Sequence, residues 1–80
     1  MGVNTMRLSE AKEGKILKIN KININESKIK NYLMCLGIVK NTIIKIQKKS
    51  LFNGPIIIEI RGYNLCISNN ISSNIVVDCI

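Results

Sequence analysis

The chain contains no histidine and no tryptophan, one proline, one phenylalanine and two tyrosines among its 80 residues. Without histidine it lacks the side chain that most often serves as a general base or metal ligand near neutral pH. Acidic residues number only five, and they are scattered, so no paired acid and base stands out. Cys35, Cys66 and Cys79 are an odd count at wide spacing with no C-x-x-C pair, which supports neither a disulfide framework nor a zinc site. They read as small apolar residues kept reduced. The glycines lack the lysine and spacing of a phosphate-binding loop, so nucleotide hydrolysis by this chain is not expected. No enzyme, no cofactor and no bound metal are therefore expected.

Long apolar runs are also missing. Ile56-Ile57-Ile58 is typical of the unbroken stretches, far short of the roughly 20 residues that a spanning helix needs. Met1–Glu10 has no apolar segment of the kind found in a secretory signal. A cytoplasmic protein that does not insert into the membrane is the expectation.

What is present is lysine, isoleucine and asparagine. The chain has 17 Ile, 11 Asn and 10 Lys against only two Arg, and a formal net charge of +7. All three abundant residues have AT-rich codons, so base composition accounts for lysine without a polyanionic partner. Recognition of phosphates and bases also favours the arginine fork, which is scarce here. The charge reads as a solvated surface, and no nucleic-acid partner is expected. A chain of this size buries only about 60–65% of its unfolded surface and has a stability of roughly 4–12 kcal/mol.

Periodicity divides the chain into short elements. In "RLSEAKEG", Ser9 as N-cap, Glu10 in the first turn and Gly14 as a stop describe a single helical turn, with Leu8 tucked beneath the domain. Leu17 and Ile19, then Ile22 and Ile24, alternate with polar residues. Their phase slips near Asn20-Lys21, which predicts a strand carrying a bulge. "NESKIKNYLMCLG" changes period: Asn25 is the expected N-cap, Glu26 lies in the first turn, and Ile29, Tyr32, Leu33 and Leu36 form a stripe. Gly37 then supplies the helix stop.

The rest reads as strands. Thr42, Ile44 and Ile46 share one face in "NTIIKIQKK", with Ile43, Lys45 and Gln47 on the other. "SLFNGP" is a turn-rich loop in which Asn53-Gly54 tolerates positive φ. "IIIEIR" and "YNLCIS" alternate about Gly62 as an antiparallel hairpin, with Ile56, Ile58 and Ile60 facing one way beside Tyr63, Leu65 and Ile67. Pro55, Glu59 and Arg61 guard this strand against aggregation. "NNISSN" is a turn or brief helical turn, and "IVVDCI" closes the chain as a strand. Residues 1–80 are expected to form one domain: mainly β, a small barrel of about five antiparallel strands with one inserted α-helix.

Three segments in order carry a family resemblance. They are "MRLSEAKEGKILKI", "YLMCLGIVKNTIIKI" and "GPIIIEIRGYNLCIS", the last containing a Pro-Ile…Gly-Tyr-x-Leu hairpin. Together, from Met6 to about Val77, they resemble the FeoA family, the small cytosolic component of bacterial ferrous iron uptake. Two turns depart from the family pattern: Lys40-Asn41 stands where Pro-Gly is usual, and a serine replaces the alanine of the late turn. The lack of histidine also departs from a metal-bridged dimer.

The resemblance implies an SH3-like β-barrel. It also implies a non-catalytic role beside the FeoB membrane transporter, through the transporter's cytosolic G-protein domain. Two alternatives come from other classes. FeoA-like barrels also end iron-dependent repressors as metal-responsive regulatory domains, although a repressor would carry a helix-turn-helix segment first and none is read here. A small RNA-binding barrel is the other.

Hot spots of protein interfaces favour Tyr, Trp and Arg. Leu51 and Phe52 of the loop, with Arg61 and Tyr63 of the hairpin, are the candidate protein-binding residues. Phe52 and Tyr63 equally suit the role of plugs at the barrel ends. The helix surface around Tyr32 and Met34 is a second candidate. For the RNA alternative, filter binding at low salt is expected to give a flat titration; retention that falls steeply with added salt would contradict this reading.

Overall fold

The computed structural model describes residues 5–50 and 54–79. β-branched isoleucine alternating with lysine suits a pleated, half-buried surface, and six strands form among these residues. They are β1 (Thr5–Arg7), β2 (Ile16–Ile22), β3 (Ile43–Lys49), β4 (Ile56–Ile60), β5 (Tyr63–Ile67) and β6 (Ile75–Cys79). All pairings are antiparallel, in the order β1-β6-β2-β3-β4-β5, so β1 and β5 are the edges of an open sheet. Helix α1 (Ser27–Cys35) links β2 to β3, and the four-residue turn of helix α2 (Asn69–Ser72) links β5 to β6. The strand beyond the expected five is β1, which is only three residues long.

One face of the sheet makes the core. Leu17, Ile19, Ile44, Ile46, Ile56, Ile58, Ile60, Ile67, Ile75 and Val77 are buried, together with Leu8, Ala11, Leu33 and Ile38 from outside the strands. The hairpin has the expected register, pairing Ile56 with Ile67, Ile58 with Leu65 and Ile60 with Tyr63. The slip in β2 is real: the β2–β6 register shifts between Ile19 and Lys21. The extra residue, Asn20, donates from Nδ2 to both carboxylate oxygens of Asp78, at 3.2 and 3.0 Å. A second shift, between Ile46 and Lys48 of β3, leaves Gln47 as the extra residue there. No ion pair lies within 4.0 Å among the described residues.

Several caps differ from expectation. The first turn is a 3-10 helix over Leu8–Glu10 whose N-cap is Arg7, not Ser9. The Glu10 carboxylate accepts from the Arg7 backbone N–H at 3.2 Å, which closes the turn one step earlier. Helix α1 is capped at Glu26 instead of Asn25 and has no side-chain cap bond. In its stripe Leu33 is buried and Ile29 and Leu36 are half-buried, but Tyr32 is 61% exposed. At about 100° per residue Tyr32 lies some 60° to the side of Ile29, beyond the arc that the sheet covers.

Two turns compensate for the unusual residues noted in the sequence. Asn41 adopts φ 72, the left-handed conformation that asparagine tolerates, and its N–H donates to the Ile19 carbonyl at 2.6 Å. Ser72 is fully buried, and its hydroxyl donates to the Asn69 carbonyl at 3.3 Å, so the polar group is not stranded. Asn53, read with Gly54 as a turn, lies outside the described residues.

The register makes a direct prediction. Ile58→Ala, deep in the core, should cost about 2–5 kcal/mol. Ile57→Ala, on the half-buried outer face, should cost only about 1 kcal/mol. Urea midpoints of the two variants measure this, and equal losses would contradict the facing of β4.

Candidate functional site

Two of the candidate residues gather at the C-terminal end of α1. The chain leaves the helix through Leu36 and turns at Gly37, whose φ is +90°. The Ile38 N–H donates to the Leu33 carbonyl at 2.9 Å and the Gly37 N–H to Met34 at 3.0 Å. This is the Schellman pattern, in which two crossing bonds satisfy the last helical carbonyls. Its customary apolar contact is supplied by Leu33 and Ile38, both buried.

Over this helix end lies the β4–β5 turn. Arg61 and Gly62 form a two-residue loop with both φ values positive, 51° and 87°, so the hairpin closes with the twist that its strands require. Asn or Gly usually occupies the first position, and an L-residue there costs roughly 1 kcal/mol. Arg61 holds that conformation while its side chain lies on Gly37: a Cβ added to Gly37 would sit 3.3 Å from Arg61 Nε. A cation at a helix C-terminus is favoured by the partial negative charge of the terminal carbonyls. Next to it the Tyr63 hydroxyl donates to the Leu36 carbonyl at 2.5 Å. Tyr63 therefore braces the helix against the hairpin while 43% of it stays open to solvent.

Arg61 also borders a shallow depression of about 270 Å³ on the outer sheet face, lined by Ile16, Ile43, Lys45 and Glu59. Ile16 and Ile43 are 52% and 48% exposed, which is unusual for isoleucine. Their β2–β3 register, Ile16 opposite Lys45 and Lys18 opposite Ile43, puts both on the outer side. The Gln47 amide donates to Glu59 at 2.8 Å and fixes the carboxylate beside this surface.

Of the four candidate residues, Arg61 and Tyr63 come together at the helix end. Leu51 and Phe52 lie outside the described residues. The nearest described residues, Ser50 and Gly54, adjoin the end of β4 opposite to the Arg61–Gly62 turn. Ile16 and Ile43 were not singled out from the sequence, although Ile43 stands out of phase with Ile44 and Ile46. Met34 is 56% exposed, as is expected of a second surface on the helix. Among the described residues no three His, Cys, Asp or Glu side chains gather where they could hold one ion. No helix of the described residues is long and apolar enough to cross a membrane. The arrangement of an exposed cation lying on the helix end, a tyrosine and two exposed isoleucines is suited to contact with another protein.

Residues 6–79 match the family model described as the FeoA domain. A FeoA-like protein from Clostridium acetobutylicum, solved by NMR, is 30% identical with a TM-score of 0.82; the match covers 100% of this chain and 91% of that one. The solution structure of FeoA protein from Chlorobium tepidum is 27% identical with a TM-score of 0.85, covering 94% and 70%. The crystal structure of T. acidophilum IdeR, 20% identical with a TM-score of 0.84, shares the fold over 100% of this chain and 36% of that one. None of the curated proteins matches. The fold is thus the mainly β, SH3-like one that the sequence implies.

Gly37→Ala and Gly14→Ala separate backbone strain from the arginine contact. Both positions have positive φ, but a Cβ at Gly14 meets nothing within 4 Å. Each substitution should cost about 1–2 kcal/mol. Only Gly37→Ala should also move the Arg61 Nε–Hε signal in a proton–nitrogen correlation spectrum. An unmoved signal would show that the guanidinium does not rest on the helix end.

Proposed function

The chain belongs to the FeoA domain family, and from that membership we propose that it is a small cytoplasmic accessory protein of bacterial ferrous iron uptake. In this reading it acts by binding and not by catalysis. It docks on the cytosolic G-protein domain of a FeoB-type membrane transporter and modulates that transporter's activity or assembly.

The observation that carries the proposal is the pairing of Arg61 and Tyr63 on the end of α1. A left-handed arginine is an expensive choice for a hairpin turn that glycine or asparagine would fill at lower cost. The cost is offset where the guanidinium lies on the helix end and faces solvent. Beside it Ile16 and Ile43 provide apolar area that folding has not used. Arginine, tyrosine and exposed isoleucine in one patch have the composition of an interface centre. Leu51 and Phe52 remain in the proposal as further contacts.

Calorimetry with the isolated transporter domain tests this. Binding is expected, and Arg61→Ala should weaken it by at least about 5-fold, the threshold of roughly 1 kcal/mol for a contributing interface residue. Arg61 is exposed, so the variant should keep its fold, which circular dichroism verifies. No heat at high micromolar concentration with either GDP or a GTP analogue would overturn the proposal.

A further inference from the structure

On another side of α1 lies a larger groove, of about 420 Å³, between the helix, the bulged end of β2 and the loop leading to β3. Its apolar lining includes Ile22, Met34 and Val39, and its charged lining is Lys21, Lys30 and Lys40. None of the lining residues is acidic. We propose that this groove binds an acidic peptide segment of a partner protein, one that sets a large apolar side chain between carboxylates.

The bulge of β2 and the end of α1 shape the two walls. At Asn20 the bulge shifts the strand's phase, so that Ile22 turns inward and Lys21 turns out. Asn20 is held by Asp78, which fixes the bulge. On the opposite wall the Schellman turn delivers Val39 directly after buried Ile38, and the Val39 N–H donates to the Gly37 carbonyl at 3.0 Å. Lys30 and Met34 are four residues apart on α1 and share a face. Three ammonium groups are thereby set around an apolar floor that includes a methionine, the side chain that best adapts to differing partners.

The chemistry selects the occupant. The volume lies within the range of pockets that take a small ligand or an anchoring side chain, roughly 300–1,000 Å³. Three like charges favour an anionic visitor, and the apolar floor favours one that also carries a hydrocarbon side chain. Single-stranded RNA would use aromatic platforms and arginine, and the lining has neither. A lipid surface would call for an apolar face that protrudes into the membrane, whereas this one is recessed. The segment can belong to any protein, and its binding does not require contact at Arg61.

Panning a phage-displayed library of random dodecapeptides on the immobilised full chain tests it. Peptides with two or more Asp or Glu residues flanking a large apolar residue should be enriched. For the strongest one, synthesised with a fluorescent label, Lys21→Glu/Lys40→Glu should weaken binding by about 10-fold or more. Lys12→Glu/Lys48→Glu makes the same change of net charge away from the groove, and should change binding by less than about 2-fold. Met34→Gln, which changes no charge, should weaken binding as well, because it takes away part of the apolar floor. Failure to enrich acidic sequences, or an equal effect of the two double variants, would overturn the proposal. So would tighter binding of an oligouridylate or of phosphatidylglycerol vesicles than of the peptide, if Lys21→Glu/Lys40→Glu abolished it.

Discussion

The described surface of this protein is organised by the point at which helix α1 stops. Gly37 takes a conformation that other residues adopt at a cost, and the two bonds to Leu33 and Met34 lock the reversal. Burying Leu33 and Ile38 together then fastens the reversal to the sheet. The surfaces on either side depend on that lock. Toward the hairpin, the bare backbone of Gly37 leaves room for Arg61, and the Leu36 carbonyl is aimed at Tyr63. Toward β2, the same turn sends Ile38 into the core and Val39 to the groove wall. One glycine thus serves two surfaces whose chemistry differs.

Much of the framework was legible in the sequence because local rules and tertiary packing agree there. The alternation of Ile56, Ile58 and Ile60 fixes the hairpin face, since a slip of one residue would expose all three. Gly37 ends the helix and Gly62 turns the hairpin for the same reason, a positive φ. The phase slip at Asn20-Lys21 is visible because apolar residues stand on both sides of it. The bulge at Gln47 is not visible: Lys48 and Lys49 come next, and two lysines carry no phase. Lys49 is oriented instead by contacts distant in sequence, its Nζ donating to the Ser9 carbonyl at 2.9 Å and its backbone N–H to Glu13 at 2.8 Å.

The candidate surfaces were less legible than the fold, again for physical reasons. Arg61 and Tyr63 could be singled out by residue type, yet the Tyr63 bond to Leu36 joins positions 27 residues apart. The start of α1 has two adjacent polar residues, Asn25 and Glu26, and no side-chain bond to the first turn decides between them. Tyr32 fits a helical stripe by spacing, but it lies on a flank of α1 that packing leaves exposed. The groove between α1 and β2 needs a bulge, a helix face and a loop at once, and no single stretch of sequence contains it. Family membership fixes the fold and leaves these surface details to the individual chain.

The absence of ion pairs among the described residues has a consequence for how this sequence can change. Cohesion comes from isoleucine, leucine and valine on the inner face, and no lysine ammonium is paired with a carboxylate among the described residues. Apart from Lys49, which holds the Ser9 carbonyl, replacing a described lysine therefore breaks no side-chain bond to another described residue. The charged layer is free to drift with the base composition of its gene, so the abundance of lysine carries little information by itself. An exposed lysine that stays basic through such drift then points to something outside the molecule that reads it. Positions that stay basic among close relatives while their neighbours vary would thus map the contacts of this protein, with little background from its architecture.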